Sequence, residues 1–232
     1  MTLYTDPRLT ALGVLHGTSD KKLGNMRTAA ATAALFSQLH IPEEKILRFK
    51  QTHSDRLITI ASATQAQAAL PASPLQEADG WVLVGPGGFG AAILTADCVP
   101  LLLWDSTAQV IGLSHCGWRG VASQLPLKTL QQMQRCGAKG PISAWIGPHI
   151  QACCFEVQAD VATQFPGCVQ ERGSHLFVDL NQAILAQLSQ AGLDEKQIVC
   201  SPHCTCCEPE HFFSFRREHT KDALLTFVYK PE

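Results

Sequence analysis

The sequence predicts a mixed α/β fold, a single layered domain in which mixed sheets are covered by helices. Three observations point there. Apolar strand-length runs recur along the chain, several of them continuous, as in strands buried on both faces. Helical segments interrupt these runs. Finally, 46% of the residues are hydrophobic and 16% charged, enough to bury a large core in 232 residues. No repeat, charge block or low-complexity linker divides the chain, so residues 1–232 are expected to form one catalytic domain.

Each element has its own signal. Arg27 to Leu39 is Ala-rich and stops ahead of Pro42, which predicts a helix. Ile46–Phe49 and Arg56–Ile60 are short strands flanking Gln51-Thr52-His53-Ser54. The stretch from Gln65 to Gln76, rich in Ala, Gln and Pro, is expected as a surface excursion within the domain. Gly80–Val84 is a strand ended by a Gly-Pro-Gly-Gly turn. Ala91–Thr95 and Pro100–Trp104 are apolar strands with Asp97-Cys98 between them, and Val110–Cys116 follows as a third. Leu125–Gln134 and Leu180–Gln190 have helical spacing, and Ala159–Phe165 is a short helix. Ile142–Ile146, Gln197–Cys200, Phe212–Phe215 and Leu224–Tyr229 complete the strands.

Charge and composition exclude several roles. Eighteen basic and twenty acidic residues leave a net charge of −2, so no basic field is available for nucleic acid or an anionic membrane. No charge-free apolar run of membrane-spanning length exists. Ten cysteines in 232 residues are too sparse for a disulfide scaffold. The opening residues show no basic stretch followed by an apolar run. A cytoplasmic protein with reduced thiols is therefore expected, some of them binding metal or reacting.

Three polar groups fall at strand ends or turns: His53, Cys98 and His115. Imidazole and thiolate are preferred zinc ligands, and three protein ligands leave a fourth position for water or substrate. Their separations of 45 and 17 residues match no short metal motif. From position alone, a structural role for each stays open beside the metal one. Asp97 interrupts an apolar stretch and needs partners if buried.

The segments QTHSD, ADG, LTADCVPLLLWD, IGLSHCGWRG, IGPHI, CCFEV, VDL and FFSFRRE occur in this order. Together they resemble the YfiH (DUF152) family, also called the multicopper polyphenol oxidase or laccase-domain family. The resemblance runs from about residue 12 to the C-terminus. It implies a layered α/β fold with a core like that of a Cys–His hydrolase toxin, and a zinc ion held by His53, Cys98 and His115. It also implies phosphorolysis of adenosine, inosine and methylthioadenosine, with hydrolytic deamination of adenosine. The partners would then be a purine nucleoside and phosphate, for a chain expected to act as a monomer. Copper is a second candidate metal, since it outranks zinc in intrinsic affinity. A copper-dependent polyphenol oxidase is accordingly the first alternative. However, the nine histidines include no His-x-His pair of the kind a multicopper centre uses. A second alternative is a Cys–His hydrolase editing a cell-wall precursor, with Cys98 as nucleophile and His115 as base. A metal-binding protein without turnover is the non-enzymic reading.

Supporting roles follow from position. Asp97 is a candidate acid/base or an orienting group behind the ligands. Phosphorolysis must hold a phosphate dianion, for which Arg48 and Arg119 are the candidate forks. Gln51, two residues before His53, could read a base edge, and His149 and Glu156 could line the pocket mouth. Cys116 stands where the family usually has alanine and should pack as a small hydrophobe. Cys136, Cys153, Cys154, Cys168 and Cys200 are read as buried or incidental thiols. His203-Cys204-Thr205-Cys206-Cys207 has the composition of a second metal site, a question composition leaves open. The chain lacks the Gly-Arg that usually follows the FFSxRR motif, and Lys221 could replace its charge but not its planar fork.

Overall fold

The computed structural model describes residues 2–69, 76–85 and 87–231. Fourteen strands are assigned among them: β1 Leu3–Tyr4, β2 Leu15–Ser19, β3 Ile46–Leu47, β4 Leu57–Ile60, β5 Gly80–Val84, β6 Phe89–Thr95, β7 Val99–Asp105, β8 Val110–Cys116, β9 Ile142–Ile146, β10 Glu156–Val157, β11 Val169–Arg172, β12 His175–Val178, β13 Ile198–Cys200 and β14 Leu224–Lys230. The α-helices are α1 Pro7–Ala11, α2 Ala29–Gln38, α3 Ala63–Ala69, α4 Trp118–Ala122, α5 Leu125–Arg135, α6 Ala159–Ala162, α7 Leu180–Gln190 and α8 Phe215–Glu218.

The strands form a five-stranded sheet in the order β1-β2-β14-β6-β3 and a six-stranded sheet in the order β13-β9-β7-β8-β5-β4. A small sheet, β10-β12-β11, stands apart from both. Both large sheets mix parallel and antiparallel pairs. The period-two alternation of a strand explains how they stack. Leu102 and Trp104 of β7 join Ile93 of β6 and Val228 of β14 in one core between the two sheets. Leu101 and Leu103, pointing the other way, pack with Leu130 and Met133 of α5 and Ile184 and Leu188 of α7. On the far side, Leu225 and Phe227 of β14 pack with Leu35 and Phe36 of α2. The result is a helix–sheet–sheet–helix stack. β7 is buried at every position, with apolar neighbours on both faces. Each fully buried Leu there contributes roughly 1.5–3 kcal/mol relative to exposure.

The expected strands around β5 to β9, β13 and β14 are present, as are the three principal helices. One expectation is corrected: Phe212–Phe215 forms no strand. Phe212 and Phe213 are buried in a loop, and Ser214 caps α8 by accepting a hydrogen bond from the Arg217 amide at 3.2 Å. The short helix expected over Ala159–Phe165 covers Ala159–Ala162 alone. Within the Gln65–Gln76 excursion, the first residues belong to α3, and Leu70–Leu75 lie outside the described residues.

Two crossings between the sheets matter for function. The chain leaves the five-stranded sheet after β3 and enters the six-stranded sheet at β4. It makes the same passage between β6 and β7. His53 lies on the first crossing and Cys98 on the second.

A candidate metal centre between the sheets

Strand register brings the three ligand candidates together. In the β7–β8 pair, Pro100 lies opposite His115 and Val99 opposite Cys116, so Cys98 falls opposite Gly117 just past the strand ends. In the β5–β8 pair, Gly80 lies opposite Ser114, so Asp79 falls beside His115. His53 comes in from the β3–β4 crossing, its ring centroid 4.9 Å from that of His115 and the planes at 75°. One ligand atom from each of His53, Cys98 and His115 lies within 4.8 Å of the others. His53 is exposed, Cys98 half-buried and His115 buried, so the cluster opens to solvent on one side.

Asp79 organises the cluster and was not singled out from the sequence beyond the ADG motif. It is completely buried. One carboxylate oxygen accepts from the His53 amide at 3.1 Å and from His115 Nδ1 at 2.9 Å. The other accepts from the Ser54 amide at 2.6 Å, the Ser54 hydroxyl at 2.7 Å and the Thr52 amide at 3.2 Å. Three successive amides converge because His53 adopts a left-handed backbone, φ 58°. Burial alone would raise the Asp79 pKa. The bonds from His115 and Ser54 outweigh it and hold the carboxyl at about 2. Because an ionised carboxylate only accepts, His115 carries a proton on Nδ1, which leaves Nε2 as the nitrogen for a metal. This is the carboxylate–histidine arrangement that orients metal ligands.

Cys98 and His115 form a coupled pair. Burial pushes the Cys98 thiol up, but the His115 charge and hydrogen bonds from His115 and His53 outweigh it and favour thiolate. His115 is raised in turn, with burial overcome by the Cys98 charge and the Asp79 hydrogen bond. The donor set, one thiolate and two imidazoles with one side open, fits a borderline-soft divalent ion such as zinc. Gly117 makes room: a Cβ there would stand 2.9 Å from His53 Cδ2 and 3.1 Å from Cys98 Sγ.

The other sequence candidates lie as follows. Asp97, with φ 89°, turns its carboxylate away into a support network. It accepts from the Thr205 hydroxyl at 2.7 Å, the Ser214 hydroxyl at 3.1 Å and the Arg216 amide at 2.7 Å. The Gln51 amide is taken up by the backbone of Leu94, with both bonds at 2.7 Å. Arg48 pairs with Glu43 at 3.0 Å and lines a separate cleft with Phe49, Ile58 and Trp81. His149 is buried, Nδ1 bonded to the Gly147 carbonyl at 2.8 Å, and burial lowers its pKa. Glu156 pairs with His175 at 2.7 Å. Arg119 is exposed, stacked 4.3 Å over the Trp118 ring, with no carboxylate in ion-pair reach among the described residues. Cys116 is buried in the core, as its small apolar character leads one to expect.

Several known proteins are similar to this chain. A family model described as multi-copper polyphenol oxidoreductase laccase matches residues 18–228. A purine nucleoside phosphorylase of Aquifex aeolicus is 32% identical, covering 80% of this chain and 83% of its own. A protein named adenosine deaminase RL5, from an unknown prokaryotic organism, is 32% identical over 83% of this chain and 77% of its own. The crystal structure of YlmD from Geobacillus stearothermophilus superposes with a TM-score of 0.85 at 26% identity, covering 95% of this chain and 93% of that one. The chain belongs to the multi-copper polyphenol oxidoreductase laccase family, the family of YfiH.

Proposed function

We propose that this chain is a zinc-dependent purine nucleoside phosphorylase, acting on adenosine, inosine and methylthioadenosine, that also deaminates adenosine. The observation that carries the reading is the open His53–Cys98–His115 cluster with the Asp79 carboxylate locked behind it. Relatives named for each of the two activities support it, at about the same similarity. His53, Cys98 and His115 would hold the metal. When bound there, zinc supplies Lewis acidity at an open fourth position.

The chain's own groups do the rest. Asp79 keeps the His115 proton on Nδ1, so Nε2 faces the ligand position. Arg119, exposed two residues after Gly117, offers a planar fork for a phosphate dianion. Phosphate attacks the anomeric carbon, the carbon–nitrogen bond breaks, and the purine leaves with the bonding pair. In deamination, water adds at C6 of the purine and ammonia departs. Asp97 acts as a positioning residue, holding the loops after β6 and before β14 against each other. Arg48 and Gln51 are bonded to partners elsewhere and His149 is buried behind its bond to the Gly147 carbonyl, which leaves Arg119 as the substrate contact retained in this reading. The chain acts in the cytoplasm, as a monomer.

The ligand set also bears on the polyphenol oxidase alternative. Among the described residues only two groups have metal-binding geometry, and one of them contains no histidine. A multicopper centre needs many more imidazoles than His53 and His115 provide. The thiolate-favouring Cys98–His115 pair does resemble that of a Cys–His hydrolase. One experiment separates the readings: purified chain is given inosine with and without phosphate, adenosine alone, and a phenol under oxygen. Phosphate-dependent hypoxanthine and phosphate-independent ammonia are expected. Oxygen uptake that scales with added copper, without base release, would overturn the proposal.

A further inference from the structure

Four cysteines outside the site just described are brought together by the sheet. β9 and β13 are parallel neighbours, with Ala144 opposite Ile198 and Ile146 opposite Cys200, so the loops that follow emerge side by side. A further parallel bridge between His149 and Cys204 prolongs the pairing, and the Thr205 amide donates to the His149 carbonyl at 3.0 Å. Cys153 and Cys154 follow on one loop, Cys204 and Cys207 on the other. The Sγ atoms of Cys153 and Cys204 are 3.5 Å apart, those of Cys153 and Cys207 3.5 Å, and those of Cys154 and Cys207 3.3 Å. All four lie within 4.8 Å of one another. Cys153 and Cys154, expected as buried or incidental thiols, are thus exposed and half-buried beside two further thiols.

We propose that Cys153, Cys154, Cys204 and Cys207 bind a structural zinc ion as a tetrathiolate site, distinct from the His53–Cys98–His115 centre. With Zn–S bonds of about 2.3 Å, a tetrahedral ZnS4 unit has sulfur–sulfur edges of about 3.8 Å. The three separations just given fall a few tenths of an ångström short of that edge, and all of the others lie within about 1 Å of it. Four thiolates and one divalent ion carry a net charge of −2, and the surroundings answer that charge. The Gln151 amide donates to Cys204 Sγ at 3.4 Å. Arg172 binds the Ala152 and Cys153 carbonyls at 3.2 and 3.3 Å, and Arg216 binds the Cys154 carbonyl at 3.3 Å. Arg217 binds the Thr205 and Cys206 carbonyls at 2.7 and 2.9 Å. Three guanidinium groups thus frame the ligand-bearing turns, two of them without a carboxylate in ion-pair reach among the described residues. Thr205, between two of these cysteines, also donates to Asp97 beside Cys98. Metal here would pin the turn that supports the catalytic loop.

Metal analysis of the full chain, purified without chelator, tests the proposal. The Cys204→Ser/Cys207→Ser double variant is expected to carry one zinc fewer per chain than wild type, and Cys98→Ala to lose the other. A second measurement on wild type removes any dependence on variant folding. Cys153 and Cys207 are exposed, so iodoacetamide at alkaline pH should label them in metal-free protein. In the zinc-loaded chain their alkylation should slow at least tenfold and recover with chelator. Labelling rates indifferent to chelator would overturn the site. So would zinc content unchanged in the double variant, iron in place of zinc, or a disulfide among these cysteines in anaerobically purified protein.

Discussion

Replacing Asp79 with asparagine preserves shape and removes charge at the point where six donors meet. Whichever way the new amide turns, its NH2 faces donors. Turned towards His53 and His115, it leaves the His53 amide without an acceptor and lets His115 relieve the clash only by moving its proton to Nε2, the metal-facing nitrogen. Turned towards Thr52 and Ser54, it sets two backbone amides against a donor. The depression of the Asp79 pKa from 3.8 to about 2 corresponds to about 2 kcal/mol favouring the ionised form in the folded chain. An unsatisfied buried donor costs roughly 1–3 kcal/mol on its own account. The variant should therefore lose roughly 2–4 kcal/mol in urea unfolding with chelator present, where metal cannot mask the effect. Its zinc affinity, read by competition with a chromogenic chelator, should fall roughly 10- to 100-fold, as when groups behind metal ligands are changed. A variant within about 0.5 kcal/mol of wild type, binding zinc equally well, would refute the role assigned to Asp79.

Three further outcomes follow. Gly117→Ala places a methyl against His53 and Cys98; its φ of −65° suits any residue, so zinc affinity should drop at least tenfold while a urea melt shifts by less than about 1 kcal/mol. Gly112→Ala on β8 would set a Cβ 2.7 Å from Met133 Sδ and 2.8 Å from Thr129 Cγ2; such overpacking should cost about 1–3 kcal/mol by the same assay, with zinc content unchanged. Stability should decline in acid in two stages. His16 is buried and neutral, Nε2 accepting from the Asp6 amide and Nδ1 donating to the Val14 carbonyl, and burial lowers its pKa. Its unfolded form binds the proton first, so stability falls as pH drops below about 6.5. The Asp79 contribution is fully present above about pH 3.8 and is lost as pH falls through about 2, which acid titration of the unfolding free energy would resolve.

The legible parts of the fold are those where burial on both faces wrote a continuous apolar run. β7 and β8 are such runs, and they carry the register that places Cys98 and His115. β2, Leu15–Ser19, is short and polar; it is a strand because it pairs with the apolar β14. Likewise β11 is largely exposed and β12 only partly buried, and both carry little pattern. Phe212-Phe213-Ser214-Phe215 misleads in the opposite sense, since Phe212 and Phe213 bury in a loop, Ser214 serves as a helix cap and Phe215 starts the helix exposed. The three candidate ligands stood at strand ends or turns, and the family resemblance grouped them. Asp79 left one signal, an acidic residue at the mouth of an apolar strand. The His203–Cys207 segment signalled a second site by composition alone, and its partnership with Cys153 and Cys154 left no signal. It depends on β9 and β13 being neighbours across about fifty residues of chain.

In the proposed function the His53–Cys98–His115 centre performs phosphorolysis. The most direct measurement is hypoxanthine release from inosine and phosphate by Cys98→Ala beside wild type, with both shown to be folded by circular dichroism. Phosphate-dependent release in wild type and a loss of at least a hundredfold in Cys98→Ala are expected. Equal release by the two proteins would contradict the assignment.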